Sequence, residues 1–212
     1  KSDCITPFYD PMIAKLIVHA DNRKQSISRL RQALKKSFIL GIETNQEFLL
    51  QILEHNDFNE GKFSTQWING KRSTLTSKPK SFNLDSYVIC AAILLIEKRK
   101  ELNCHMPQLP VSFRNNYFRK PFEQFLWGKE KIKIEYEICN NDMFSFKINN
   151  RIYDIIILKE LKNFLSLQIG QQKFEANIIQ FEEKIVVSSG GVTILLAIAP
   201  RFMQSKSLQD DK

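Results

Sequence analysis

A chain of 212 residues is long enough for one large domain or two modest ones, each with its own core. Its 43% hydrophobic and 25% charged residues are the balance of an ordinary globular sequence, which excludes a disordered or low-complexity chain. A net charge of +8 points to an acidic partner, but the basic clusters Lys71-Arg72, Lys78 with Lys80, and Lys98-Arg99-Lys100 are short and scattered, so a solvated basic face is expected rather than a binding patch.

The longest apolar run, Tyr87 to Ile96, has ten residues, whereas a membrane span needs about twenty. Lys1 opens the chain with no basic-then-apolar leader, so no secretory signal is expected. Cysteines at 4, 90, 104 and 139 have neither metal-knuckle nor redox-pair spacing, and reduced thiols are expected. Cys104 adjoins His105 without further ligands at chelating distance along the chain, and His19 and His55 read as structural residues. No nucleophile elbow, zinc signature or phosphate loop is present in the sequence.

In chain order, residues 11–60 read as strand, helix, strand, helix. Met12-Ile13-Ala14-Lys15-Leu16-Ile17-Val18 is short, apolar and partly β-branched, the pattern of a mostly buried strand. Asp21 suits the N-cap of a helix whose apolar face is Ile27, Leu30 and Leu34, with Arg29, Arg31, Lys35 and Lys36 on its other face and last turn. Phe38 to Ile42 returns to the core. Thr44 and Glu47 carry a capping-box signature ahead of Phe48-Leu49-Leu50 and Ile52-Leu53, and that helix ends near His55-Asn56. Asp57 to Gly61 is turn-like. Residues 62–81, rich in Lys, Ser and Thr, read as a linker or meandering surface segment.

A helix follows, capped by Asp85 or Ser86 and running through the apolar stretch to Glu97-Lys98-Arg99-Lys100-Glu101. Its middle is apolar on every side, so it needs protein on all faces. From about residue 122 the chain turns to short β-rich runs. Lys131 to Ile138 alternates charged and apolar residues strictly, the mark of a half-buried antiparallel strand. Met143–Ile148, Ile152–Leu158, Phe164–Ile169, Lys173–Gln180, Lys184–Ser188 and Val192–Ile198 follow, with turns at Asn140-Asn141-Asp142, Asn149-Asn150, Gly170 and Gly190-Gly191. Seven such strands predict a closed or nearly closed antiparallel barrel or sandwich. A helix buried on all faces fits inside such a barrel.

Residues 5–70 resemble the end of a biotin carboxylase domain. The likeness rests on Tyr9-Asp10-Pro11-Met12-Ile13-Ala14-Lys15-Leu16-Ile17, Arg29-Leu30-Arg31-Gln32-Ala33-Leu34, Gly41-Ile42 and Thr44-Asn45, followed by Phe58, Gly61 and Thr65. His19-Ala20 departs from the aromatic and small residue common there. Residues 82–200 are similar to the domain joining the biotin carboxylase to the biotin carrier in propionyl-CoA and 3-methylcrotonyl-CoA carboxylases. That family places a long central helix within an antiparallel β-barrel. Its loop from helix to first strand is a hook that grips the carboxyltransferase subunit.

The resemblance implies a hook over about His105 to Pro121, with Phe113, Arg114, Asn115 and Asn116 as partner-binding residues; a Trp is frequent where Phe113 stands. Phe118, Phe122, Phe125 and Trp127 mark a partner site if exposed and plug the barrel if buried. Tyr9 and Asp10 are implied to approach the parent's active site, while the residues themselves read as a turn and a strand start.

The resulting expectation is an α+β chain: a small α/β biotin carboxylase C-terminal piece (1–70), a linker (71–81), a helix-in-β-barrel subunit-interaction domain (82–204) and a tail (205–212). Alone it is expected to be non-catalytic. Its role is scaffolding between the biotin carboxylase, the biotin carrier and the carboxyltransferase (beta) subunit. Biotin, ATP and Mg or Mn belong to the parent enzyme, whose reaction is ATP-dependent carboxylation of biotin, and none is expected to bind this chain. Met12-Ile13-Ala14-Lys15 is a strand segment and not the carrier's biotinylated Met-Lys-Met. The implied compartment is the cytoplasm, or the mitochondrial matrix in a eukaryote, with neither membrane nor nucleic acid as partner. The rival reading is a basic β-barrel nucleic-acid-binding module, supported by the charge and sixteen phenylalanines. It requires aromatics on one sheet face beside a basic groove.

Overall fold

The computed structural model describes residues 8, 10–39, 42, 44–75, 83–102, 120–140 and 142–200. The chain divides into two compact units, Lys1–Ser77 and Lys78–Lys212.

In the first unit, α1 spans Arg23–Lys36. Its N-cap is Asn22 and not Asp21: the Asn22 side chain accepts from the Gln25 N–H at 2.9 Å. Both residue types cap well, and the one in extended geometry whose oxygen reaches the third helical N–H takes the role. α2 covers Gln46–Glu54 with Asn45 at its N-cap and no side-chain cap bond, so the Thr44–Glu47 capping box does not form. A buried contact lies at the facing helix end: the Gln46 carboxamide donates to the Leu34 carbonyl, which the Ser37 N–H and hydroxyl also reach, and at 3.1 Å to the Ser37 carbonyl.

α3 is a single turn, Asn56–Asn59, closed by Gly61 at φ +77°. There the Lys62 N–H reaches the Asp57 carbonyl at 2.8 Å, a terminus that favours glycine. α4 covers Trp67–Leu75, so helix occupies the first part of the stretch whose composition reads as linker. The unit's core is small: Ile27, Leu34, Leu50 and Leu53, flanked by Leu30 and Phe58. The predicted apolar face of α1 is the buried one.

The expected strand at Met12–Val18 is absent. Residues 12–20 carry no regular secondary structure, and Met12, Ile13, Leu16 and Ile17 are exposed. A strand exists only where a neighbour takes its N–H and C=O groups, and no strand lies in the described residues of this unit. The α/β reading of the unit is corrected accordingly: among its described residues the regular elements are helices. Of the expected return at Phe38–Ile42, residues 38, 39 and 42 are irregular and the remainder lies outside the described residues.

In the second unit α5 spans Leu84–Leu102, and Ser86 to Ile93, Leu95 and Ile96 are all buried. Its first turn is capped by Asn83, whose side-chain oxygen accepts from the Asp85 N–H at 3.2 Å, in place of Asp85 or Ser86. Asp85 is left to accept the Tyr153 hydroxyl. Among the described residues no helix is long and apolar enough to cross a membrane. Cys90, within α5, and the exposed Cys139 are free thiols, and burial pushes that of Cys90 far up.

Eight strands follow: β1 Phe122–Trp127, β2 Glu130–Ile138, β3 Met143–Ile148, β4 Arg151–Leu161, β5 Phe164–Ile169, β6 Gln172–Phe181, β7 Lys184–Ser189 and β8 Val192–Ile198. All pair antiparallel with their chain neighbours, and β1 pairs with β8 to close the barrel. The seven expected strands are present; β1 is the addition. The Asn149-Asn150 and Gly190-Gly191 turns hold Asn149 at φ +52° and Gly190 at +61°, as two-residue hairpins demand.

Alternation sends Phe125, Ile134, Tyr136, Phe144, Phe146, Ile148, Ile155, Leu165, Leu167, Ala176, Ile178, Ile185, Val187, Ile194 and Leu196 into one core. Val88, Ile89, Cys90, Ala91, Ala92, Ile93 and Ile96 of α5 belong to that same core. The first turn of α5 reaches β7 and β4 through the Tyr87 hydroxyl to the Ser189 carbonyl, at 3.1 Å, and through Asp85 to Tyr153. The last turns reach β6, β1 and β3 through Lys98, Arg99 and Lys100.

Candidate subunit interface

The partner-binding residues expected at Phe113, Arg114, Asn115 and Asn116 lie outside the described residues, as do Phe118 and Tyr9. Asp10 is exposed and irregular. The described residues nearest in the chain to Phe113, Arg114, Asn115 and Asn116 are the last turn of α5 and the start of β1.

Three consecutive basic residues end α5, and each takes a separate partner. Lys98 donates to the Gln180 side chain at 2.8 Å; Lys100 pairs with Glu97 and lies 5.3 Å from the centre of the Phe144 ring. Arg99 pairs with Glu123 at 2.5 Å and donates to the Tyr136 hydroxyl at 3.3 Å. The solvated basic face expected from the sequence therefore accounts for only part of this cluster. Glu123 is 4% exposed, which sets this pair apart from the solvent-open pairs of the barrel surface, each worth about 0–1 kcal/mol. The Glu123 hydrogen bond and charge raise the affinity of Arg99 for its proton above the ordinary value, against the opposing effect of partial burial.

On the return, Lys120 pairs with Glu137 at 2.8 Å, the Tyr136 N–H donates to the Pro121 carbonyl at 2.9 Å, and Lys133 sits 4.9 Å from the centre of the Phe122 ring. An open pocket of about 200 Å³ lies here, lined by Leu95, Arg99, Phe122, Glu123, Gln124, Ile198 and Ala199. Phe125 is fully buried in β1, and Phe122 and Trp127 are half-buried. Phe125 belongs to the barrel core and Trp127 packs against it, whereas Phe122 lines the open pocket. Arg99, Glu123 and Tyr136 were not singled out from the sequence. The available signal was Glu123, an acid in register with inward-facing Phe125 two residues on.

Glu160, near the end of β4, feels the same turn of α5. Burial and the charges of Glu97, Glu101 and Asp142 raise its carboxyl above the usual glutamate range, against Lys100. The folded state therefore holds this proton more tightly than the unfolded chain. The associated stability is complete below about pH 4.3 and is lost as pH rises through the raised value. Glu160→Gln is expected to stabilise the fold at neutral pH, by no more than about 0.5 kcal/mol because the side chain is solvent-exposed, and the gain should vanish in acid. Thermal melts of both forms across that range check the sign; a gain that grows on acidification contradicts it.

Among the described residues no group of three or more His, Cys, Asp or Glu side chains is placed to hold a metal ion.

Residues 1–70 match the family model of the biotin carboxylase C-terminal domain. The matched segment falls within the first unit. The biotin carboxylase of Halalkalibacterium halodurans is 45% identical over 74 residues, covering 35% of this chain and 16% of that protein. The mitochondrial methylcrotonoyl-CoA carboxylase subunit alpha of Rattus norvegicus is 37% identical over 102 residues, 48% of this chain and 14% of that protein. The same subunit of Dictyostelium discoideum is 28% identical over 177 residues, 77% of this chain and 25% of that protein. The chain thus spans about a quarter or less of the length of these relatives.

Proposed function

We propose that this chain is the stretch of an acyl-CoA carboxylase alpha subunit, of the methylcrotonoyl-CoA or propionyl-CoA type, that ends the biotin carboxylase domain and continues into the domain that receives the carboxyltransferase beta subunit. The observation that carries this reading is the order of parts: a biotin carboxylase C-terminal segment followed by a closed eight-strand barrel sharing one core with a helix buried from Ser86 to Ile93. Similarity to the Dictyostelium alpha subunit covers 77% of the chain, against 35% for the bacterial biotin carboxylase, which supports the larger parent. In this reading α5 fills the barrel. Its opposite ends contact successive hairpin ends, and a helix of 19 residues is about 28 Å long, enough to run through the barrel.

The role is scaffolding. ATP, a divalent metal and biotin serve the whole subunit, in which biotin is carboxylated and the carboxyl group passes to an acyl-CoA on the partner. This chain closes one domain and holds the next partner in place. Met143 and Ile156, opposite each other on β3 and β4, expose apolar area beside Leu158, as an assembly surface does. A nucleic-acid-binding barrel is not favoured: Phe125, Phe144 and Phe146 are buried in the core instead of forming an exposed stacking face.

Arg114 would offer planar, charge-assisted bonds to the partner and Phe113 an aromatic anchor. Arg114→Ala is expected to reduce capture of the carboxyltransferase subunit about tenfold or more while the barrel's circular dichroism is unchanged. Undiminished capture by a folded variant would sink the assignment of that residue.

A further inference from the structure

We infer that the open edge of β8 pairs with the same edge of a second copy of this chain, forming a two-fold dimer.

β8 spans Val192–Ile198, but its ladder with β1 holds only Ala197 and Ile198. β1 leaves this seam at Trp127, and Gly128 at φ +60° turns the chain into β2. From Val192 to Leu196 no described strand lies against β8 on the side away from β7.

Backbone direction alternates along a strand. Ile198 donates its N–H to the Glu183 carbonyl on the β7 side, whereas Ala199 donates to the Gln124 carbonyl on the β1 side. By that alternation Ile194 and Leu196 face β7, and Thr193 and Leu195 turn their N–H and C=O groups to the open side. The Gly190-Gly191 turn sets the same parity, because Ser189 and Val192 close a two-residue hairpin as a bonded pair.

Other strands that outrun a neighbour meet charge there. β2 carries Glu130, Lys131 and Lys133 before its ladder with β3 begins at Ile134. β4 carries Lys159 and Glu160 after its ladder with β3 ends at Ile156. Beyond its ladder with β5, β6 has Gln180 bonded to Lys98 and runs on into Glu182 and Glu183. Edge charges of this kind oppose pairing with other chains. Val192-Thr193-Ile194-Leu195-Leu196 carries none. On the outer face, Ile179, Val186 and Leu195 stand side by side on β6, β7 and β8. Val186, in the middle of that row, is 8% exposed; Leu195, at its open end, is 51% exposed.

The edge is its own complement. With a two-fold axis at Ile194, Thr193 of one copy lies opposite Leu195 of the other, and each such pair exchanges two backbone bonds. The two Leu195 side chains then stand diagonally across the axis on the outer face, which prolongs both apolar rows. No like charges oppose each other along this seam, and a second copy supplies the uncharged apolar pattern by identity.

The test is sedimentation velocity of the 212-residue chain at rising concentration, with hydrogen exchange read at the Thr193, Ile194 and Leu195 amides. So short a seam buries less than the roughly 1,200 Å² of standard interfaces, and half-association is expected at about 100 µM. The Thr193 and Leu195 amides should slow as the dimer forms, while the Ile194 amide, held by β7, is slow throughout. Leu195→Lys and Leu195→Glu, both at an exposed position, should each weaken association at least about tenfold. An equimolar mixture of the two should associate again, because opposite charges then meet across the axis. Met143→Lys, on the outer face of β3, should leave association unchanged.

A chain that is still monomeric at about 1 mM overturns the pairing. Association that survives both Leu195 variants, or that Met143→Lys abolishes, also overturns it. So does a mixture that fails to recover, or a dimer that forms without slowing at Thr193 and Leu195. No carboxyltransferase subunit is present in these measurements, so their outcome is separate from the functional reading above.

Discussion

Ile93→Asp is expected to prevent the second unit from forming its barrel. Ile93 is fully buried at the middle of α5, flanked by Ala91 and Ala92, which are also without exposure, and it shares a core with residues from all eight strands. Aspartate there removes a large apolar group from a close-packed site and puts a carboxyl where none of the surrounding core side chains carries a charge. Loss of the isoleucine packing alone costs about 2–5 kcal/mol. Burying the unpaired acid adds several more, so the sum matches the whole stability of an ordinary domain, about 5–15 kcal/mol. Near-UV circular dichroism and amide dispersion in a proton–nitrogen spectrum should both collapse. A well-dispersed spectrum would show that the helix is not the core of the barrel.

The second large effect is expected at Phe125→Ala, about 3–5 kcal/mol of destabilisation by urea unfolding. Phe125 is fully buried and does two jobs. It fills the core, and its backbone is one of the two register positions through which β1 meets β8, against six between β1 and β2. Its truncation leaves a cavity beside the thinnest part of the barrel wall, where relaxation is opposed on one side by the helix. A lowered midpoint with an unchanged slope is the expected form. A loss below about 1 kcal/mol would place the side chain outside the core.

These two positions also show what the sequence made legible. Ile93 sits in an uninterrupted apolar run ending in charges at helical pitch, so both the helix and its need for protein on every side could be read in advance. The strands from β2 onward announce themselves by alternation and by their turn residues. β1 does not. Phe122-Glu123-Gln124-Phe125-Leu126-Trp127 carries its acid on the inward face, so the period-two pattern breaks at the residue that pairs with Arg99. A single sequence does not disclose that an arginine 24 positions earlier supplies the missing charge.

The caps fall on Asn22 instead of Asp21, and on Asn83 instead of Asp85 or Ser86, because nearby polar residues compete and geometry picks the winner. The run Met12–Val18 reads as a strand, and its apolar side chains are suited to one, yet a strand is a property of a pair. With no ladder among the described residues of the first unit, the run stays irregular and its apolar side chains exposed. In the proposed parent the remainder of the biotin carboxylase domain would cover it.

The most direct measurement is equilibrium binding of the unaltered chain to a purified carboxyltransferase beta subunit from a methylcrotonoyl-CoA or propionyl-CoA carboxylase, followed by analytical ultracentrifugation at low and high salt. A saturable complex of defined stoichiometry that persists at high salt is predicted. Absence of a complex with either beta subunit, together with salt-sensitive retention of single-stranded nucleic acid, would contradict the scaffolding role and favour the basic-barrel alternative.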